Sequence, residues 1–132
     1  DSKEQYVIFG SEFDQREAEE MIANNKNISM HSFCGKYDLR KSLALISVCN
    51  FAFAADSGLG HVSSILGIPT VSFFGAGRAN VTKPIGKYNV IIDKSTRCKP
   101  CKKNICCLNA IKKSDVNYAI RSLQIDSKYE VQ

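Results

Sequence analysis

Residues 51–74 read FAFAADSGLGHVSSILGIPTVSFF, and the reading of this stretch decides the fold. It opens on Phe51–Ala55, an apolar run of strand length with no polar alternation, the pattern of a strand buried on both faces. Asp56, Ser57 and Gly58 break the run. Ser57 is an N-capping residue type, and Val62, Ile65 and Leu66 follow it at helical spacing. Gly67 suits the helix end, and Pro69 stops any continuation. Thr70–Phe74 is a second apolar run, closed by Gly75. Strand, helix and strand in so short a span form a βαβ unit, the crossover from which parallel sheets are built.

The turn inside that unit carries the chemistry. If Ser57 caps the helix, the amides of Gly58, Leu59 and Gly60 are left unpaired in its first turn, at the positive end of the helix dipole where phosphates bind. Gly58 and Gly60 have no side chain to keep an anion from the backbone. His61, one turn in, can donate to a phosphate or sugar oxygen. The same residues also read as a capped helix with small residues for packing, and the local pattern leaves both readings open.

Outward from this centre the chain alternates β and α. Tyr6–Phe9 is a short strand closed by Gly10, and a helix is expected from about Asp14 to Asn24, with Ala18, Met21 and Ile22 on its apolar face and Arg16 paired with Glu20. Asp14 has two readings: a carboxylate that stabilises the helix start, or one beyond a strand end that accepts hydrogen bonds from ribose hydroxyls. Ile28–Phe33 is a weak strand containing His31, which is read as structural. Asp38 caps a helix reaching about Cys49, with Leu39, Leu43, Leu45 and Ile46 on its apolar side. After the central unit, Gly75, Gly77 and Arg78 should lie at the same sheet edge as Ser57, where glycine amides and a guanidinium would meet a diphosphate; a glycine turn with a solvated arginine is the plainer reading. Asn89–Asp93 is a further strand. Ser114 caps a last helix with Val116, Ala119, Ile120 and Leu123 at helical spacing, and 124–132 reads as a polar tail. The fold class expected is α/β, a three-layer Rossmann-like parallel sheet with helices on both faces, in one domain over 1–132.

Composition agrees with an ordinary globular domain: 132 residues, 44% hydrophobic and 23% charged. The formal charge of +5 favours anionic partners such as a nucleotide or an acidic membrane surface. The basic residues are not interleaved with aromatics in any nucleic-acid-binding motif, so no nucleic acid partner is expected. No apolar run approaches the roughly 18 residues of a membrane span, and no signal-like segment opens the chain. A cytoplasmic location is expected. Six cysteines in that setting point to thiols or a metal instead of a disulfide framework. Cys98, Cys101, Cys106 and Cys107 have the number of ligands for a tetrahedral zinc, but neighbouring Cys106 and Cys107 suit one ion poorly and the spacing matches no standard module. A structural zinc is therefore not favoured. Arg97 and the lysines around the cluster read as a solvated loop, with a membrane-facing patch as the sharper alternative.

Asp56-Ser57-Gly58-x-x-His61, the small-residue helix, Gly67-x-Pro69 and the strand ending Phe74-Gly75 together resemble glycosyltransferase family 9, the lipopolysaccharide heptosyltransferases and their relatives. The resemblance extends from about Val7 to Leu123, and the cysteine cluster at Cys98–Cys107 adds to it. It implies the C-terminal, sugar-nucleotide-binding half of a GT-B enzyme without that half's first β-α unit, and with that unit the family's phosphate-binding lysine. It further implies a nucleotide-sugar-binding domain over 1–132, a heptose donor linked to ADP, a lipopolysaccharide-type acceptor held by an N-terminal half, peripheral contact at the inner face of the inner membrane, and no required cofactor. The helix-end amides, with Ser57, His61 and Arg78, would stabilise charge on the leaving diphosphate. Asp14 falls where the family places an acidic ribose ligand, usually glutamate, so Glu12 or Glu17 is an alternative. After Gly75 the family often shows Gly-Pro-Thr, and the absent hydroxyl leaves Thr82 and Lys83 as substitutes. The general base would belong to the N-terminal half, so this chain is expected to hold no catalytic base, to be silent alone and to be part of a longer enzyme. The rival readings are an epimerase-type GT-B enzyme and a non-catalytic binding domain with a zinc-held cysteine loop.

Overall fold

The computed structural model describes residues 4–75, 84–94 and 107–129, with side chains in the last segment to Leu123. These residues cluster into two compact units, Asp1–Leu45 and Ile46–Gln132.

In the first unit, β1 (Gln5–Ile8) and β2 (Ser29–Ser32) pair in parallel, Gln5 opposite Ser29 and Ile8 opposite Ser32. Between them run a 3-10 turn, Glu12–Asp14, and α1 (Gln15–Asn24). The α-helix starts one residue later than the sequence suggests, because the carboxylate of Asp14 is turned back onto Ser11 and tightens the entry. Ala18 is buried on α1, Met21 is mostly exposed, and Arg16 pairs with Glu20 at 3.1 Å. That pair is solvated and contributes a few tenths of a kcal/mol at most, by order of magnitude about 0.3. Beyond the strand ends, Phe33 meets Phe9 and Tyr37 edge-on, at centroid distances of 5.7 and 5.3 Å. Helix α2 (Leu39–Ser47) starts where Asp38 caps it: the Lys41 amide donates to Asp38 Oδ1 at 2.8 Å.

In the second unit, β3 (Ala52–Ala55), β4 (Thr70–Phe74) and β5 (Asn89–Asp93) form a parallel sheet in that order. The described strands form two parallel sheets. Helix α3 (Gly58–Ile65) crosses from β3 to β4, and α4 (Lys113–Tyr129) follows β5. The alternation of β4 assigns the faces. Val71 joins Ile92, Ala119 and Leu123 in a core under α4, while Thr70 reaches Ser63 of α3. Helices therefore cover opposite faces of this sheet, as the periodicity leads one to expect.

Two sequence expectations about packing are corrected. Strand β3 is not buried on both faces: it is an edge of the described sheet, and Phe53 is 48% exposed. Nor does α3 bury Ile65 and Leu66; both are exposed, and Gly60, Ser63 and Ser64 face the sheet instead. A helix lying this close to a strand has room only for small side chains. The helix ends as expected. Gly67 takes φ 77°, and the amides of Gly67 and Ile68 return to the carbonyls of Ser64 and Ser63 at 3.1 and 3.0 Å, closing a Schellman turn.

The start of α4 also differs. Ser114 lies inside the helix, and Asp115 does the capping by accepting from the Lys112 amide at 2.8 Å. Asp115 Oδ2 also lies 3.1 Å from Lys94 Nζ, just past β5, so one carboxylate ties the helix start to the sheet. The helix continues through Tyr129, since neither glycine nor proline interrupts the segment read as a polar tail. Among the described residues no helix is long and apolar enough to cross a membrane.

The Lys112 amide, with Lys94 beside it, holds the Asp115 carboxyl below its ordinary value. The folded chain then resists protonation more than the unfolded one, so this stabilisation is full above the ordinary carboxylate pKa of about 3.9 and fades as pH falls through the lower folded value. Asp115→Asn is expected to lower the melting temperature at pH 7 and to lose most of that penalty at acid pH. Thermal unfolding at both pH values checks this, and an equal penalty at each would mean that the charge is irrelevant.

Candidate functional site

The parallel register brings the carboxyl ends of three strands to one edge, Ala55 opposite Phe73 and Phe74 opposite Asp93. Asp56 and Ser57 follow β3 there, Gly75 follows β4, and Lys94 follows β5. This is the edge at which open α/β sheets bind ligands.

Ser57 sits in extended backbone, φ −148° and ψ 160°, and is the N-cap of α3. Its Oγ accepts from the Gly60 amide at 3.3 Å, and its carbonyl accepts from the His61 amide at 3.1 Å. The Gly60 amide is therefore committed to the cap, which corrects the expectation of three unpaired amides and leaves those of Gly58 and Leu59 for a ligand. The positive end of the helix dipole remains at these two groups.

The two glycines do different work. A Cβ built on Gly58 would meet nothing within 4 Å. One on Gly60 would lie 2.8 Å from both Ala54 Cβ and the Ala55 carbonyl oxygen. Gly60 is thus a packing residue that lets the helix rest on β3, and Gly58 is the open approach to the helix end. The packing role read for the turn falls to Gly60, while Gly58 leaves open space at the helix end.

His61 places Nε2 at 3.8 Å from Asp56 Oδ1, with both side chains about one-third exposed. That is an ion-pair distance, too long for a hydrogen bond. The pair frames the open end of α3 with one donor-bearing ring and one acceptor. Gly75 is buried, and a Cβ there would crowd Leu108 Cγ at 3.1 Å, in the short 3-10 helix Cys107–Ala110. Gly77 and Arg78, with Thr82 and Lys83, lie outside the described residues, as do Cys98, Cys101 and Cys106. Cys107 opens the 3-10 helix and is half-buried. Among the described residues no three His, Cys, Asp or Glu side chains gather as a metal site.

Asp14 belongs to the first unit. Its Oδ2 accepts from both the amide and the hydroxyl of Ser11 at 2.7 Å, and these donors, the hydroxyl foremost, hold its carboxyl below the ordinary value. The structural role read from the sequence is thus filled; Glu12 and Glu17 beside it are exposed. The sequence reading passed over Lys94. Its signal was positional, the residue directly after a third parallel strand, and its ammonium is held by Asp115 at the sheet edge.

Residues 2–112 match the family model of glycosyltransferase family 9 (heptosyltransferase). The chain is 27% identical over 109 residues to a lipooligosaccharide heptosyltransferase 2 of Campylobacter jejuni, a match covering 77% of this chain and 34% of the relative. It is 30% identical over 98 residues to lipopolysaccharide heptosyltransferase 1 of Pseudomonas aeruginosa, covering 74% and 27%. Two solved structures share the fold. One is E. coli ADP-heptose LPS heptosyltransferase II, with TM-score 0.73 and 23% identity over 94% of this chain and 37% of that one. The other is a glycosyl transferase family 9 protein of Veillonella parvula, with TM-score 0.77 and 21% identity over 92% and 37%. The chain spans about a third of the length of these relatives.

Gly60→Ala is expected to cost about 1–3 kcal/mol, since the added methyl meets backbone that cannot turn aside. Gly58→Ala is expected to be neutral or slightly stabilising, by up to about 1 kcal/mol, because alanine favours the helix and enters open space. Chemical denaturation of both variants checks the pair, and equal effects would contradict the division of roles.

Proposed function

The chain belongs to glycosyltransferase family 9, and on that premise we propose that the start of α3 binds the diphosphate of a nucleotide sugar, as the donor side of a heptosyltransferase acting in lipopolysaccharide assembly. The observation that carries this reading is the Ser57-capped helix end, where the Gly58 and Leu59 amides are left by the cap beside a glycine with open space around it. Preorganised amides at a helix N-terminus complement phosphate without moving, and they stabilise charge that builds on a leaving diphosphate. His61, in the second turn, adds a ring donor toward the same charge. Asp56 is an acceptor suited to hydroxyls of the transferred sugar. Arg78 is assigned the bidentate partner of the diphosphate.

In this reading the amides and side chains carry the leaving-group charge, and no metal takes part. ADP-heptose is the donor we assign, in keeping with the name of the E. coli protein that shares the fold. The acceptor is a lipopolysaccharide-type glycan, and both its binding and the general base are assigned to polypeptide beyond this chain. These 132 residues by themselves are expected to transfer no sugar.

Calorimetric titration of the full-length natural polypeptide with ADP, UDP and GDP is the test. ADP should bind in preference; His61→Ala should weaken it about tenfold, the loss of one charge-assisted hydrogen bond, and Ser57→Ala should weaken it by removing the cap that fixes the Gly58 and Leu59 amides. Gly58→Ala should weaken it with the fold intact. ADP binding unmoved by all three variants would place the donor elsewhere, and a preference for UDP would change the base assigned.

A further inference from the structure

The layer between α3 and the sheet is polar where a domain core is ordinarily apolar. Ser63, Ser64, Thr70 and Ser72 are all buried. Asn89 joins them, lying across the ladder from Thr70 and donating its side-chain amide to Ser72 Oγ at 3.1 Å. The layer is short of hydrogens. The Ser63 hydroxyl donates to the Gly60 carbonyl at 2.9 Å and the Thr70 hydroxyl to the Ile68 carbonyl at 2.7 Å. These two oxygens, 3.2 Å apart, then have only lone pairs to offer. Among the described residues, two buried side-chain atoms have no hydrogen-bond partner, Ser64 Oγ and Asn89 Oδ1. Both belong to this layer. Ser64 adjoins Ser63, and a side chain on Gly86, three residues before Asn89, would collide with the Ser64 hydroxyl and carbonyl oxygens. The chain entering β5 is thus pressed against Ser64. Native interiors rarely leave such groups unpaired, because each has given up its hydrogen bonds to bulk water.

We propose that an internal water molecule is bound in this layer, accepting the Ser64 hydroxyl hydrogen and donating to Asn89 Oδ1. Its second hydrogen goes to the Thr70 and Ser63 oxygens, which gives it the three or so bonds that buried waters make. A cation suits the site less well, since all four oxygens are neutral hydroxyl or amide groups. The water holds the last turn of α3 to β5. The helix is then fixed at the end away from Ser57 as well as where Gly60 rests on β3.

A crystal structure of the full-length natural polypeptide at atomic resolution tests this directly. It should show a fully occupied water within about 2.5–3.2 Å of both Ser64 Oγ and the Asn89 side-chain amide. A layer without that water, or a Ser64 hydroxyl bonded directly to protein, would overturn the proposal. Thermal unfolding gives an independent check. Ser64→Ala should lower the melting temperature by about 2–4 °C in the natural background. In an Asn89→Leu background, where the water has lost its acceptor, the same change should lower it no further. An equal loss in both backgrounds would also overturn the proposal, because Ser64 and Asn89 would then act independently.

Discussion

The closeness of α3 to β3 is the constraint on which the second unit depends. With Gly60 against Ala54 and the Ala55 carbonyl, the helix can rest almost on the strand's backbone. Its inward face then has to be small, and it is: Gly60, Ser63 and Ser64. Most polar groups in so tight a layer satisfy one another, Ser64 Oγ being buried without a hydrogen-bond partner. Ser63 donates to the Gly60 carbonyl at 2.9 Å, and the Thr70 hydroxyl donates to the Ile68 carbonyl at 2.7 Å with Ser63 Oγ 3.2 Å away. The Asn89 amide reaches Ser72 Oγ at 3.1 Å on the neighbouring strands. The hydrophobic contribution of this unit comes from the other face, where Val71, Ile92, Ala119 and Leu123 are buried together.

That division of labour has a functional consequence. A helix pressed against the sheet is fixed in direction, so its first turn opens at the carboxyl edge of the strands with little freedom to drift. Rigid placement matters for an anion site made of backbone amides, because electrostatic stabilisation falls off when dipoles must reorganise. Ser57 consumes the Gly60 amide and leaves those of Gly58 and Leu59 at the helix start proposed to bind diphosphate.

Carboxylates set the other chain entries. Asp14 folds back onto Ser11, Asp38 receives the Lys41 amide, and Asp115 receives the Lys112 amide while holding Lys94. Each satisfies amides that a helix start leaves without a partner. Asp115 does more than cap, because Lys94 belongs to the segment leaving β5 and the contact fixes helix to sheet.

The βαβ unit, the Ser57 cap, the Gly67 helix end and the Arg16–Glu20 pair were all legible in the sequence, because each is decided within a few residues by backbone geometry and side-chain reach. The family was legible too, from Asp56-Ser57-Gly58-x-x-His61 and the strand that follows. Tertiary structure alone decided which residues of α3 turn inward, since helical spacing marks Ile65 and Leu66 as apolar but cannot measure the gap between helix and sheet. It separated Gly58 from Gly60, two identical residues whose surroundings differ only in three dimensions. It also made β3 an edge of the described sheet and set Lys94 beside Asp115. Strand neighbours and a lysine from a distant loop are contacts between segments far apart in the chain, and local pattern holds no record of them.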